Sequence, residues 1–138
     1  MMALSEHTIA LQADNGLYLS RFSQGKINYI QAGRYTIGAS SRYVVTLFDA
    51  YTMALRADNG LYLSRVYRPG GNYIEATKLS VDVYSTFAVE DVGYNLIVLK
   101  ADNEKYLSRI SIKGINYIKA DKTHIDAFCH FKLITLLE

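Results

Sequence analysis

The chain repeats itself three times with a fixed period of 44 residues. The pattern Ala-Asp-Asn-x-x-Tyr-Leu-Ser-Arg occurs at positions 13–21, 57–65 and 101–109. A second block, Asn-Tyr-Ile, follows at the same offset in every copy, so the copies align without a gap, at positions 28–30, 72–74 and 116–118. Three units at 7–50, 51–94 and 95–138 account for the chain apart from six N-terminal residues. Any fold must therefore be built from three similar parts.

Each unit has the pattern of four short strands separated by turns. In the first unit, Ile9, Leu11 and Ala13 alternate with Ala10 and Gln12. The position of Gln12 is basic in the other two copies, which predicts a strand with one buried and one solvated face. The second strand contains Leu19, and a bulge is expected beside it because the residue pattern there breaks simple alternation. The third strand is expected from position 28 to position 32, and the fourth begins at an aromatic residue, at positions 43, 87 and 131.

An Asp-Asn-Gly turn joins the first two strands in two of the units. Asn and Gly both tolerate the positive φ of a tight hairpin turn. In the third unit Glu104 stands where the other copies have glycine. We therefore expect Asn103 to take the left-handed conformation alone in that copy.

Twelve short strands in three equivalent units predict a β-trefoil, an all-β fold with pseudo-threefold symmetry. No single 44-residue unit can bury its own apolar face,. A linear solenoid would need distinct capping repeats, yet the third unit ends as apolar as the others. A three-bladed propeller falls below the usual blade number. A single domain over residues 1–138 is expected.

The repeated motif hydrophobic-x-Leu-x-Ala-Asp-Asn-Gly-x-Tyr-Leu-Ser resembles that of fascin-like trefoils and of amaranthin-type agglutinin domains. The ricin-type lectins are not matched, because their repeats carry Gln-x-Trp and this chain has no Trp. The fascin resemblance implies actin binding, and the agglutinin resemblance implies glycan binding. Neither resemblance transfers contact residues one by one.

Composition excludes several classes of partner. Lys and Arg number 15 against 13 Asp and Glu, a formal charge of +2, so no strong field marks a nucleic-acid binder. A single cysteine, Cys129, cannot form an intramolecular disulfide,; we expect it to be a buried small hydrophobe. No apolar run is long enough to span a membrane, and no signal peptide is evident. A cytoplasmic or leaderless-secreted protein is expected.

Three sets of repeat-identical residues are candidates for ligand binding. Each tyrosine is expected to share a strand face with the position two residues later, which varies as Gln31, Glu75 and Lys119,. That variation indicates solvent, so the tyrosines are predicted to form aromatic platforms. The alternative is that they fill gaps between repeats. Arg and Asn supply donors and acceptors for sugar hydroxyls, although an Arg paired with a carboxylate is the favoured role. The predicted ligand-binding residues are Tyr29, Tyr73, Tyr117, Asn28, Asn72, Asn116, Arg21, Arg65 and Arg109.

Enzymatic and cofactor chemistry find little support. The three histidines occupy positions that are not equivalent in the repeats, and no phosphate-binding glycine motif is present,. The sequence therefore predicts a protein that is not an enzyme and has no metal or cofactor: a lectin-like, multivalent carbohydrate-binding module with up to three equivalent sites. The alternatives are a fascin-like actin-binding protein and a receptor-binding or inhibitory trefoil. The last would use asymmetric features such as Arg68-Pro69-Gly70 or the basic residues Lys113, Lys119 and Lys122.

Overall fold

The computed structural model describes residues 6–136, which form twelve β-strands and three short 3-10 helices. The 3-10 helices are Ala39–Ser41, Val83–Ser85 and Ala127–Cys129. No helix in this part of the chain is long and apolar enough to cross a membrane. The strands are β1 (Glu6–Gln12), β2 (Tyr18–Gln24), β3 (Ile27–Arg34), β4 (Tyr43–Leu47), β5 (Thr52–Arg56), β6 (Tyr62–Arg68), β7 (Gly71–Lys78), β8 (Phe87–Gly93), β9 (Leu96–Lys100), β10 (Tyr106–Ile112), β11 (Ile115–Lys122) and β12 (Phe131–Thr135).

Six of the strands form a closed antiparallel barrel. The first and fourth strands of each repeat pair in the cyclic order β1, β4, β5, β8, β9 and β12, and β12 returns to β1. Each repeat thus supplies two barrel strands and shares its ladders with both neighbours. Among the described strands, closure leaves no barrel strand with an unpaired edge.

The other six strands form three hairpins, β2–β3, β6–β7 and β10–β11, that cover one end of the barrel. Their inner strands β3, β7 and β11 meet pairwise around the pseudo-threefold axis. In each hairpin the register shifts between the first two residues of the outer strand, such as Tyr18 and Leu19. The predicted bulge is confirmed, and it lies between the half-buried Leu17 and the buried Leu19,.

The core is built from the same positions in all three repeats. Tyr43, Phe87 and Phe131, which open the fourth strands, have no exposed surface. Leucines and isoleucines from the barrel and the hairpins complete this cluster. Burying one such side chain contributes about 1.5–3 kcal/mol relative to leaving it exposed. The predicted β-trefoil architecture, with its threefold apolar core, is confirmed.

The turns after the first strands are fixed by asparagine side chains. The Asn15 Oδ1 accepts a hydrogen bond from the Leu17 N–H at 3.0 Å, and Asn59 and Asn103 make the equivalent bond. In the third copy the expectation for Asn103 is wrong, because Glu104 itself adopts a φ of +68°. The Asn103 amide also donates to the Ala120 carbonyl at 3.0 Å. Its side chain is held by both bonds, so the left-handed residue stays at the position where the other copies have glycine.

Candidate functional site

Three Arg–Asp ion pairs join each repeat to the next. The guanidinium of Arg21 donates through Nε and Nη2 to both carboxylate oxygens of Asp58, at 2.7 and 3.0 Å. The same geometry closes the ring of repeats, with Arg65 on Asp102 and Arg109 on Asp14. These side chains are only 15–24% exposed, so the pairs are shielded from solvent more than ordinary surface pairs.

Each arginine also binds the candidate asparagine of its own hairpin. Arg21 donates through Nη1 to the Asn28 Oδ1 at 2.8 Å, and the Arg65–Asn72 and Arg109–Asn116 bonds are 2.7 and 2.8 Å. The hydrogen bond from Arg21 holds the pKa of the Asp58 carboxyl below its usual range. All three guanidinium nitrogens are therefore engaged within the protein, which is the structural role favoured from the sequence.

The three candidate tyrosines meet at the pseudo-threefold axis. The rings of Tyr29, Tyr73 and Tyr117 pack edge to face, with centroids 5.1–5.4 Å apart. Each ring is half-buried. This arrangement is the alternative considered from the sequence, in which the tyrosines fill the space between repeats. Burial accordingly raises the pKa of Tyr29.

The position two residues after each tyrosine is buried, and the prediction that this position faces solvent is wrong. Gln31, Glu75 and Lys119 are 8%, 2% and 7% exposed. Each lies opposite a tyrosine of an adjacent hairpin, as Glu75 does opposite Tyr29. Three hairpins that converge on an axis cover one another's outer faces, so the simple alternation between core and water does not hold there.

The tyrosines do not share a pocket with the arginines and asparagines. Arg21 lies opposite Ile30 in the β2–β3 ladder, whereas Tyr29 lies opposite Phe22. Directly opposed residues share a face and successive residues alternate. The Arg–Asn pair and the tyrosine therefore occupy opposite faces of the hairpin and do not form one pocket.

Two of the asymmetric features noted in the sequence, the Arg68–Gly70 segment and Lys119, also lie at this axis. The Lys119 ammonium donates to the Gly70 carbonyl at 2.5 Å and lies 3.4 Å from Asp121. Gly71 has a φ of +135°, and any side chain there would overlap Lys119 and Asp121. Arg68 makes a bidentate pair with the buried Glu75 carboxylate. The charges of Arg68 and Lys119 are thus compensated within the protein.

Reactive chemistry is sparse in residues 6–136. Cys129 is fully buried, and this confirms the prediction of a structural thiol. Burial raises its pKa and so disfavours the reactive thiolate,. No group of three or more His, Cys, Asp or Glu side chains in the described residues could hold a metal ion.

A groove of about 580 Å³ lies on the flank of the barrel, between the second and third repeats. Its floor is small and apolar, with Ala88 and the buried Val98. Its polar and aromatic lining consists of Tyr51, Glu90, Asp91, Lys100 and Tyr106. We call it the Tyr51 groove, after the lining residue Tyr51, which is 72% exposed.

The sequence does not predict this groove, because most of its lining lies outside the positions that are identical in all three repeats. Of the polar lining, only Tyr106 belongs to that set, with Tyr18 and Tyr62 as its counterparts. Adjacent acidic residues equivalent to Glu90 and Asp91 occur in no other copy. Departures from the repeat are therefore the signal that could have marked the site.

Comparison with known proteins gives structural matches only. No family model matches the chain, and no curated protein matches it. The designed threefold-symmetric protein ThreeFoil matches with a TM-score of 0.79 at 15% identity, over 94% of this chain and 99% of its own. The fold is a β-trefoil. An SDF2-like protein from Arabidopsis thaliana matches with a TM-score of 0.73 at 12% identity, over 94% of this chain and 92% of that protein.

One similar structure is a sugar-binding protein. A Polyporus squamosus lectin, solved with a human-type influenza-binding epitope, matches with a TM-score of 0.75 at 9% identity. The match covers 96% of this chain and 50% of the lectin. Identities this low carry the fold and not the ligand.

Proposed function

We propose that this protein is a non-enzymatic carbohydrate-binding protein and that the Tyr51 groove is its sugar site. The observation that carries the proposal is the groove itself, which combines an apolar floor, two tyrosines and three charged side chains. Its volume of about 580 Å³ is that of a small-molecule site,. A lectin among the similar structures supports the proposal at the level of the fold.

The groove offers the two kinds of contact that sugars use. The exposed ring of Tyr51 provides a flat apolar surface for the C–H face of a pyranose, with a hydroxyl at its end. The carboxylates of Glu90 and Asp91 accept hydrogen bonds from sugar hydroxyls, and the Lys100 ammonium donates them. Tyr106 forms a second aromatic wall, already half-buried and therefore fixed in position.

The proposal places one principal site on each chain. The position of Tyr51 is His7 in the first repeat and Asn95 in the third, and Glu90 corresponds to Thr46 and Ile134. The groove is therefore not reproduced by symmetry. The repeat-identical arginines, in turn, already use all three nitrogens internally. Multivalent binding then requires more than one copy of the chain.

A glycan array followed by calorimetry on the best-bound glycan tests this proposal. Tyr51→Ala should weaken binding by about tenfold, the value of one aromatic contact of roughly 1.4 kcal/mol. Tyr35→Ala is the matched control, since Tyr35 is 83% exposed and lies outside the groove. Tyr29→Phe keeps the axial ring packing, removes a predicted ligand hydroxyl and should leave affinity unchanged.

Each outcome decides between the alternatives. If Tyr29→Phe loses glycan binding and Tyr51→Ala retains it, the site lies at the axis and the groove assignment is overturned. Absence of binding to every glycan would overturn carbohydrate binding. Co-sedimentation with filamentous actin in that case would favour the fascin-like alternative.

A further inference from the structure

We infer that the Tyr51 groove selects sugars that carry a protonated amine over their neutral or acidic counterparts. This inference rests on the proposed function and concerns the chemical class of the ligand. It follows from the charged groups around the groove. Two carboxylates there have no ion-pair partner among the described residues, whereas the one ammonium group is paired with a carboxylate.

The acidic side chains of the groove are free to meet a cation. Glu90 makes no ion pair or side-chain hydrogen bond within residues 6–136. Asp91 accepts one bond from the Gly93 N–H through Oδ1 at 2.8 Å. Its other carboxylate oxygen has no partner in the same part of the chain. Both residues are exposed, so the carboxylates can be reached without any rearrangement of the barrel.

The basic side chain of the groove is partly neutralised. The Lys100 ammonium lies 3.6 Å from a carboxylate oxygen of Glu104. It also lies 5.6 Å from the centroid of the Tyr106 ring, within cation–π range,. With Lys100 compensated by Glu104, the two carboxylates of Glu90 and Asp91 leave the groove with an excess of negative charge.

Both acidic residues line the groove. The β8–β9 register is unbroken from Ala88 to Asp91 and shifts only between Asp91 and Gly93. Glu90 therefore lies on the same strand face as Ala88, opposite Val98,. Asp91 is the next residue, at the exposed rim of the groove near the end of β8.

A protonated amino sugar fits this arrangement better than its neutral relatives. Its ammonium gains attraction to both carboxylates and, near the Tyr51 ring, a cation–π contact. Acetylation of the amine removes the charge and keeps the sugar ring. A sugar acid would meet repulsion from Glu90 and Asp91, so the same contacts that favour the amine disfavour the acid.

The experiment compares three β-1,4-linked trisaccharides, which are built from glucosamine, N-acetylglucosamine and glucose respectively. Calorimetry at pH 6, where most of the glucosamine amines are protonated, should show the glucosamine trisaccharide binding about tenfold more tightly than the other two, as expected for two exposed charge contacts. The advantage should shrink as the salt concentration rises. Chemical shifts of the Gly93 amide, which donates to Asp91, should respond to the amine-bearing ligand most strongly.

The variant Glu90→Gln/Asp91→Asn is the matched test, because it removes both charges and keeps the shapes of the side chains. It should abolish the preference for the amine, so that the glucosamine and glucose trisaccharides bind this variant with the same affinity. A preference for the N-acetylated trisaccharide, or an amine preference that survives in this variant, would overturn the inference. Ethylammonium binding as tightly as the amino sugar would also overturn it, since charge alone would then be recognised.

These outcomes separate the inference from the function on which it rests. If the protein binds neutral sugars, loses this binding in Tyr51→Ala and shows no preference for the amine, the inference is overturned. Carbohydrate binding in the groove is then still supported. If neither the three trisaccharides nor any glycan of the array binds, both the inference and the proposed carbohydrate binding are overturned.

Discussion

Arg21 of the first repeat forms a bidentate ion pair with Asp58 of the second, with nitrogen–oxygen distances of 2.7 and 3.0 Å. The contact recurs from the second repeat to the third and from the third back to the first. A ring of three such pairs ties together hairpins that are distant in the chain. The repeat-identical Arg and Asp residues are thus explained by assembly of the trefoil.

Removing one arginine from this ring should cost measurable stability. Arg65→Met leaves Asp102, which is 15% exposed, without its partner. We expect a loss of about 1.5–3 kcal/mol in the free energy of unfolding, typical of hydrogen bonds to charged groups. Urea titration measures it. Addition of Asp102→Asn should restore part of the loss, and Glu104→Gln, which breaks the exposed Lys100 pair, should change stability by less than about 0.5 kcal/mol. Equal effects of Arg65→Met and Glu104→Gln would contradict this role.

The Arg21–Asp58 pair should make stability depend on acid pH. Because folding lowers the pKa of Asp58, its stabilising contribution is present above the unfolded pKa of about 4. It is lost as pH falls through the lower folded pKa. The double variant Arg21→Met/Asp58→Asn should therefore show a flatter decline in unfolding free energy below about pH 4 than the wild type. Parallel declines in the two proteins would count against the pair.

Tyr43→Phe should stabilise the protein. The Tyr43 side chain is fully buried, and its hydroxyl is the one buried side-chain polar atom without a hydrogen-bond partner in residues 6–136. The equivalent residues, Phe87 and Phe131, show that the site accepts a phenyl ring. Leaving a buried hydroxyl unsatisfied costs about 1–3 kcal/mol, so a gain of that order is expected in thermal or urea unfolding. Phe87→Tyr is the reverse control and should destabilise. A loss of stability in Tyr43→Phe would show that the hydroxyl has a stabilising contact.

Glu104→Gly should also stabilise, by about 1 kcal/mol, because a side chain in the left-handed region strains the backbone. Glu104 has a φ of +68°, and glycines at the equivalent positions 16 and 60 have +82°. Differential scanning calorimetry should show a higher Tm. Gly60→Ala provides the opposite test and should lower Tm. A lower Tm in Glu104→Gly would mean that its contact with Lys100 outweighs the strain.

Sequence periodicity predicts the barrel and its core well, because three copies of one pattern report the same burial three times. Leu11, Ile30 and the aromatic at position 43 all lie where alternation and repetition place them. The bulge beside Leu19 could also be predicted from the sequence. Position 17 is the polar Lys105 in the third repeat, which does not fit the same strand face as the buried Leu19 unless a bulge intervenes.

The axis and the groove were not recoverable in the same way. Gln31, Glu75 and Lys119 vary as surface residues do, yet they are buried because Arg68, the Gly70 carbonyl and the tyrosines surround them. Such compensation arises from contacts between repeats and leaves no local pattern. The groove depends on residues that differ between repeats, such as Tyr51 and Glu90, so a search for shared residues passes over it.

The most direct measurement of the central claim is the affinity of the best-bound glycan for the wild type, Tyr51→Ala and Tyr35→Ala, determined side by side by calorimetry. Carbohydrate binding in the Tyr51 groove predicts about a tenfold weaker affinity in Tyr51→Ala and an unchanged affinity in Tyr35→Ala. Unchanged binding in Tyr51→Ala, or no binding by the wild type, would contradict it.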